Sequence, residues 1–211
     1  RYDPQTGLTN SELTPADGVG QLTHRRVWVD IANASVSAEA LFDRFRSNFN
    51  DFVPVEAAAE PGSPSSIAEG TTITLNLPLR GNIQVRAEKA DDNEIMLMTL
   101  EGHPLAGFVH FRFRQDDQRI HFEIDVYDRA SNIFDKVGML IGGNVAQRET
   151  WRTTAARVLE ASGGSSTDGV QHKSKTLDEN QAERIERFVR EVLHRRKRNE
   201  ASATAKTGSK S

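Results

Sequence analysis

The sequence predicts an α+β fold: an antiparallel sheet of about six strands gripping a long helix, with one extra helix at the C-terminal end. Three observations carry this. Five consecutive strand candidates lie between residues 72 and 127, four of them alternating apolar and polar side chains. The gaps between them are short, roughly 2–6 residues, which favours an antiparallel meander. From Ser131 to Ala161 the apolar period becomes helical, and a sheet with one apolar face needs such a cover.

The elements follow in order. Residues 1–24 are polar, with Pro4, Gly7, Pro15, Gly18 and Gly20, and read as an extended arm. In VWVDIANAS, Val27, Val29 and Ile31 share one face of a first strand. Ser37 can cap a short helix from Ala38 to Asn48, because its hydroxyl accepts an amide proton of the first turn. Leu41, Phe42, Phe45 and Phe49 give that helix one apolar face. Pro54, Pro61, Gly62, Ser63 and Pro64 mark a loop over 52–68.

The meander comes next. TTITLNL sets Ile73, Leu75 and Leu77 against Thr72, Thr74 and Asn76, and NIQVRAE sets Ile83, Val85 and Ala87 against Gln84, Arg86 and Glu88. EIMLMTL is apolar on both faces. GFVHFRFR sets Val109, Phe111 and Phe113 against Phe108, His110 and Arg112. RIHFEIDVY sets Ile120, Phe122, Ile124 and Val126 against His121, Glu123, Asp125 and Tyr127. A turn at Asp116–Asp117 would pair Phe113 with Ile120, Phe111 with Phe122, Arg112 with His121 and His110 with Glu123.

In the long helix Ile133, Val137, Leu140 and Ile141 begin a stripe that Val145, Trp151, Ala155, Val158 and Leu159 continue. Gly142–Gly143 should kink it and Gly163–Gly164 should end it. The helix-covered domain thus spans 25–162, and residues 163–176 read as a polar linker. Thr176 with Glu179 forms a capping box for an amphipathic helix over 177–198, with Ala182, Ile185, Phe188, Val189, Val192 and Leu193 on one face. Residues 199–211 read as a disordered tail.

Composition excludes several classes of function. The chain has 211 residues, a net charge of −3 and no cysteine, so a disulfide scaffold, a thiolate metal site and a cysteine nucleophile are ruled out. No apolar run is long enough to span a membrane, and a cytoplasmic protein is expected. The chain opens at Arg1 rather than Met, so a removed leader stays open. Acidic residues outnumber basic ones before the linker, which makes the main domain a poor nucleic-acid platform. Arg195, Arg196, Lys197 and Arg198 could add a weak contact with an anionic surface. The stripe over 177–193 calls for a cover, in cis, on a sister subunit or on a protein partner, because a lone helix of this length is marginal in water.

No P-loop, GxSxG, HExxH or dinucleotide fingerprint occurs, and no cofactor is expected. His103 and Tyr127 are the acid–base candidates, since a histidine titrates near neutral pH; against this, a turn histidine commonly bonds local backbone. His110, His121 and Glu123 could meet on the polar face, but Arg112 among them opposes a metal, so a solvent-facing polar ladder is expected there and no metal. Leu75, Val85, Phe111, Phe113, Phe122, Ile124, Leu140 and Trp151 either form a dry core or line a pocket for an apolar ligand.

The order of elements resembles the START-like helix-grip fold, and VDIANASVSAEALFDRF resembles that superfamily's first strand and helix. A sharper likeness lies in TLEGHPLAGFVHFRFRQDDQRIHFEIDVYDRAS and the following GGNVAQRETW, which resemble the domain of unknown function numbered 1990 of actinobacteria and plants. Gly102, His103, Pro104, Gly107, Phe122–Ile124, Ser131 and Gln147 carry it. Where that family usually has an acidic pair, this chain has Phe108 and Val109; where it has Ser-Arg/Lys-Pro, this chain has Asp128, Arg129 and Ala130. The family implies architecture and no established chemistry. The expected function is therefore a binding protein for a hydrophobic small molecule or lipid in a sheet–helix cavity. The alternatives are a cyclase- or hydrolase-type enzyme in the same cavity, or an interaction module acting through the last helix.

Overall fold

Ser37 caps the first helix as its position requires, its hydroxyl accepting from the Ala40 amide at 3.1 Å. Around that point a computed structural model describes residues 11–54, 56–59, 66–77, 81–132 and 144–208. The strands are β1 (Val19–Ala32), β2 (Glu56–Ala59), β3 (Thr72–Leu77), β4 (Gly81–Asp91), β5 (Glu94–Thr99), β6 (Leu105–Asp116), β7 (Arg119–Ala130) and β8 (Gln171–Thr176). The helices are α1 (Ala38–Ser47), α2 (Phe49–Phe52), α3 (Asn144–Ser162) and α4 (Glu179–Gly208). All eight strands form one antiparallel sheet in the order β2-β3-β4-β5-β6-β7-β1-β8.

On one face, Val27, Val29, Ile31, Phe111, Phe113, Phe122 and Ile124 pack against Leu41, Phe42 and Phe45 of α1, Phe52 of α2, and Ala155 and Val158 of α3. Phe45 is fully buried and its ring lies about 5–6 Å from those of Phe49, Phe52, Phe111, Phe113 and Phe122. Gly163, at φ 66°, ends α3 as expected. The predicted stripe residues Ile133, Val137, Leu140 and Ile141 and the Gly142–Gly143 kink lie outside the described residues.

Several expectations are corrected. The sheet has eight strands rather than about six. The N-terminal arm gives way to β1 at Val19, because residues 23–28 pair with β7 on one side and β8 on the other. The loop at 52–68 contains β2, and the linker at 163–176 contains β8, whose polar side chains suit an edge strand. Thr176 is the last residue of β8, so Asp178 caps α4 instead, accepting from the Gln181 amide at 2.8 Å. The helix continues to Gly208 where a disordered tail was expected.

The β6–β7 register is shifted by two residues from the expected one. The loop is Asp117–Gln118, with Asp117 in the left-handed region at φ 48°, so Phe113 meets Phe122, Arg112 meets Glu123 and His110 meets Asp125. A two-residue shift keeps every side chain on its expected face, which is why the face assignment survives.

The largest correction concerns the second face. It was expected to meet solvent, but α4 lies across it. Met96, Met98 and Phe108 are buried there against Val189 and Val192, and Leu22 against Leu177 and Ala182. At its far end Arg196, 4% exposed, pairs with Glu88, Glu12 (2.6 Å) and Glu200. Glu88 is fully buried, and burial raises its pKa although the Arg196 charge opposes this. No described helix is long and apolar enough to cross a membrane.

Arg196 is thus a buried partner for a buried carboxylate. Replacing it by Met leaves Glu88 buried and unpaired, a change expected to cost about 3–5 kcal/mol in urea unfolding of the full chain. Adding Glu88→Gln to Arg196→Met should recover part of that loss. A single variant as stable as the parent would show that the pair does not hold α4.

Candidate functional site

Side chains alternate along a strand, so β5, β6, β7 and β1 each send every second residue toward α4. Their register arranges these residues in three rows across the sheet. The first is Glu94, Arg112, Glu123 and Trp28; the second is Met96, His110, Asp125 and Arg26; the third is Met98, Phe108, Tyr127 and His24. Polar character falls from the first row to the third, and α4 lies over the apolar end.

Between rows and helix is a cavity of about 340 Å³. Met96, Phe108 and Tyr127 line its sheet side, Ile185, Phe188 and Val192 its helix side. Its polar wall is formed by Lys89, Glu94, His110, Arg112 and Asp125 from the sheet and by Arg195 from α4. The floor is a ladder of rings. His24 stacks on Tyr127 at 4.2 Å with an interplanar angle of 2°, Tyr127 on Phe108 at 5.0 Å, and Phe108 reaches Phe188 at 6.3 Å.

The charged groups are held tightly. Asp125 is almost fully buried and accepts from His24 Nε2 at 2.5 Å, from Arg26 Nε at 2.9 Å and from Arg112. Burial pushes its carboxyl up, but the bonds from His24 and Arg26 and the charges of Arg112 and Arg26 outweigh this and hold it at about 2. Glu94 pairs with His110 Nε2 at 3.1 Å and with Lys89 Nζ at 2.9 Å. The His110 bond, more than the Lys89 one, overcomes burial and lowers Glu94 to about 2. Ionised Glu94 can only accept, so His110 donates to it through Nε2. Burial raises the Tyr127 phenol, and the Asp125 charge adds to the effect.

Of the two acid–base candidates, Tyr127 lines this cavity and His103 does not. His103 is buried in the β5–β6 turn, where Nδ1 accepts the Leu105 amide at 3.0 Å. The neighbouring motif glycines have equally local reasons. Gly102 sits at φ 90°, and a Cβ on Gly107 would meet the Tyr127 carbonyl oxygen at 2.0 Å. The Gly102–Gly107 motif therefore builds a turn and a close strand contact.

The trio His110, His121 and Glu123 is not brought together: His121 Nε2 lies 3.7 Å from Glu123, and His110 stands apart from both. His110 takes Glu94, His121 takes Asp30 at 2.7 Å, and Glu123 takes Arg112 at 2.9 Å and Arg114. No group of three potential metal ligands occurs among the described residues.

The residues expected to line an apolar pocket lie on the opposite face. Val85, Phe111, Phe113, Phe122 and Ile124 are buried in the cluster under α1, α2 and α3, with Leu75 and Trp151 packed against it; Leu140 lies outside the described residues. Trp151 Nε1 is buried and finds no hydrogen-bond partner among the described residues. Sequence reasoning did not assign Lys89, Glu94, Met96 or Phe108 to a site, and gave Arg195 only a weak contact with an anionic surface. The available signal was EIMLMTL, apolar on both faces, together with the single stripe of the last helix.

No protein-family model matches the chain, the family numbered 1990 included, and no curated protein matches it. Among solved structures, a START superfamily protein from Mycobacterium smegmatis is similar at 13% identity and TM-score 0.45, covering 67% of this chain and 99% of that one. The major latex-like protein 151 from Panax ginseng is similar at 8% identity and TM-score 0.45, covering 68% of this chain and 99% of that one. The di-domain ARO/CYC of the steffimycin biosynthetic pathway shows 11% identity and TM-score 0.45 over 71% of this chain and 53% of that one. The antiparallel sheet packed on α3 has the helix-grip architecture, in the α+β class.

The depressed Glu94 gives a pH prediction. A carboxyl whose folded pKa is lowered stabilises the fold fully above its ordinary value of 4.5, and that contribution is lost as pH falls toward about 2. The stability difference between the wild type and Glu94→Gln should therefore shrink steadily in urea unfolding at pH 5, 3.5 and 2. A difference independent of pH would show that the Glu94–His110–Lys89 chain contributes nothing.

Proposed function

We propose that this protein binds a small amphipathic molecule in the cavity between the sheet and α4. The observation that carries the reading is the cavity itself, about 340 Å³ with an aromatic floor and ordered charged groups along one wall. That volume falls at the lower end of the ~300–1,000 Å³ range of small-molecule pockets. A binding role accords with the sequence expectation of a sheet–helix cavity, with the cavity under the last helix instead of the long one. Kinship with the family numbered 1990 belongs to the same proposal and supplies no chemistry of its own.

A second reading keeps the ligand on the opposite face, among Leu75, Val85, Phe111, Phe113, Phe122, Ile124, Leu140 and Trp151. The indole N–H of Trp151, which has no partner among the described residues, favours it, because a buried donor without an acceptor costs about 1–3 kcal/mol that a ligand oxygen would offset.

Native mass spectrometry of the full chain, followed by two variants, separates the readings. Phe188 is 40% exposed, so Phe188→Asp should leave melting temperature unchanged while reducing retention of a bound molecule at least tenfold. Trp151→Phe should leave retention unchanged. The opposite pattern moves the ligand to the α3 face.

A further inference from the structure

We infer that the ligand of the α4 cavity carries a single anionic group, received by Arg195, on an apolar body that lies against Phe108 and Phe188. The inference rests on the cavity reading above and adds the chemical class of its occupant.

The cations of the cavity differ in what already engages them. Lys89 lies 2.9 Å from Glu94, 3.5 Å from Asp91 and 3.8 Å from Asp92. Arg112 is shared between Glu123 and Asp125. Arg195 is exposed and makes neither an ion pair nor a hydrogen bond among the described residues, although Glu191 stands one helical turn before it. Of the three Lys and Arg side chains of the lining, Lys89 and Arg112 are thus engaged by carboxylates and Arg195 is the one left over. That excess sits where the aromatic ladder ends at Phe188.

A guanidinium with free donors forms its strongest hydrogen bonds to a carboxylate or phosphate. A neutral ligand would leave it unused, and a cationic one would be repelled. Arg195 is exposed, so the contact adds selectivity while the apolar body provides most of the affinity. A cavity of about 340 Å³ suits a short chain or a pair of fused rings, not the acyl chains of a whole phospholipid. A free carboxylic acid and an anionic lipid headgroup share this chemistry; the size favours the free acid.

The test is isothermal titration of the full chain with decanoate and with decanol below their aggregation concentrations, at low and moderate salt, with Arg195→Gln in parallel. Decanoate should bind at least tenfold more tightly than decanol. Arg195→Gln should remove that preference without changing decanol affinity. Salt should weaken decanoate alone. Equal affinity for the two probes, or a preference that survives Arg195→Gln, overturns the anion inference and leaves the cavity reading standing. If neither probe binds, the cavity reading itself falls. Sedimentation with phosphatidylglycerol vesicles completes the test. Vesicle binding without decanoate binding would make Arg195 a membrane contact and overturn the proposal.

Discussion

β5 is a central strand whose residues are buried on both faces, and this constraint governs the rest of the molecule. Ile95 and Leu97 point into the cluster beneath α1 and α3, while Met96 and Met98 are fully buried on the other side. A sheet with a single covering helix would leave those methionines in water. Each large apolar side chain so exposed forgoes about 1.5–3 kcal/mol of burial. The second cover is therefore part of the fold. β8 delivers it, by pairing with β1 and bringing the chain back to the sheet before α4 begins.

Covering the second face imposes an electrostatic problem, because strands built to alternate carry charged residues there too. The structure pairs them instead of exposing them. Asp125 is enclosed by His24, Arg26 and Arg112, and Glu88 by Arg196. Buried pairs of this kind add little net stability relative to apolar residues, yet each becomes costly when one partner is removed. The network consequently acts as a constraint on register: a one-residue slip of β7 would turn Asp125 away from its cations and into the apolar cluster of the other face.

The legible part of this fold is what periodicity reports. The α1 cap at Ser37, five meander strands, the end of α3 at Gly163 and the apolar face of α4 all follow from residue pattern. The illegible part depends on pairing partners. QHKSKT has no apolar alternation, because β8 is an edge strand whose side chains mostly face solvent, so composition alone made it a linker. HRRKR looked like a free basic cluster, because nothing local reveals that Arg196 meets Glu88 and Glu12 more than 100 residues away in sequence. The cavity is harder still to foresee, since its walls come from four strands and one helix. A double-sided apolar strand and an unpartnered helix stripe announce that they need each other. They do not announce whether the space between them is filled.

The spacing along α4 shows how a helix can be held firmly without filling that space. Ala182, Val189 and Arg196 are seven residues apart and all buried, so they form one line of anchors along the helix. Ile185, Phe188, Val192 and Arg195 form the adjacent line, and these are the residues that look into the cavity. Val192 is buried and belongs to both functions, whereas Phe188 and Arg195 remain exposed. The ion pairs of Arg196 and of Arg129 with Glu186, at 2.9 Å, fix the helix at two points. A cavity can then persist beside them, because its collapse would require breaking contacts that lie on another face. Packing that specifies the fold and surface that can receive a ligand are thus assigned to neighbouring stripes of one helix. Substitutions at Phe188 and Arg195 can alter binding without disturbing the anchors at Ala182, Val189 and Arg196.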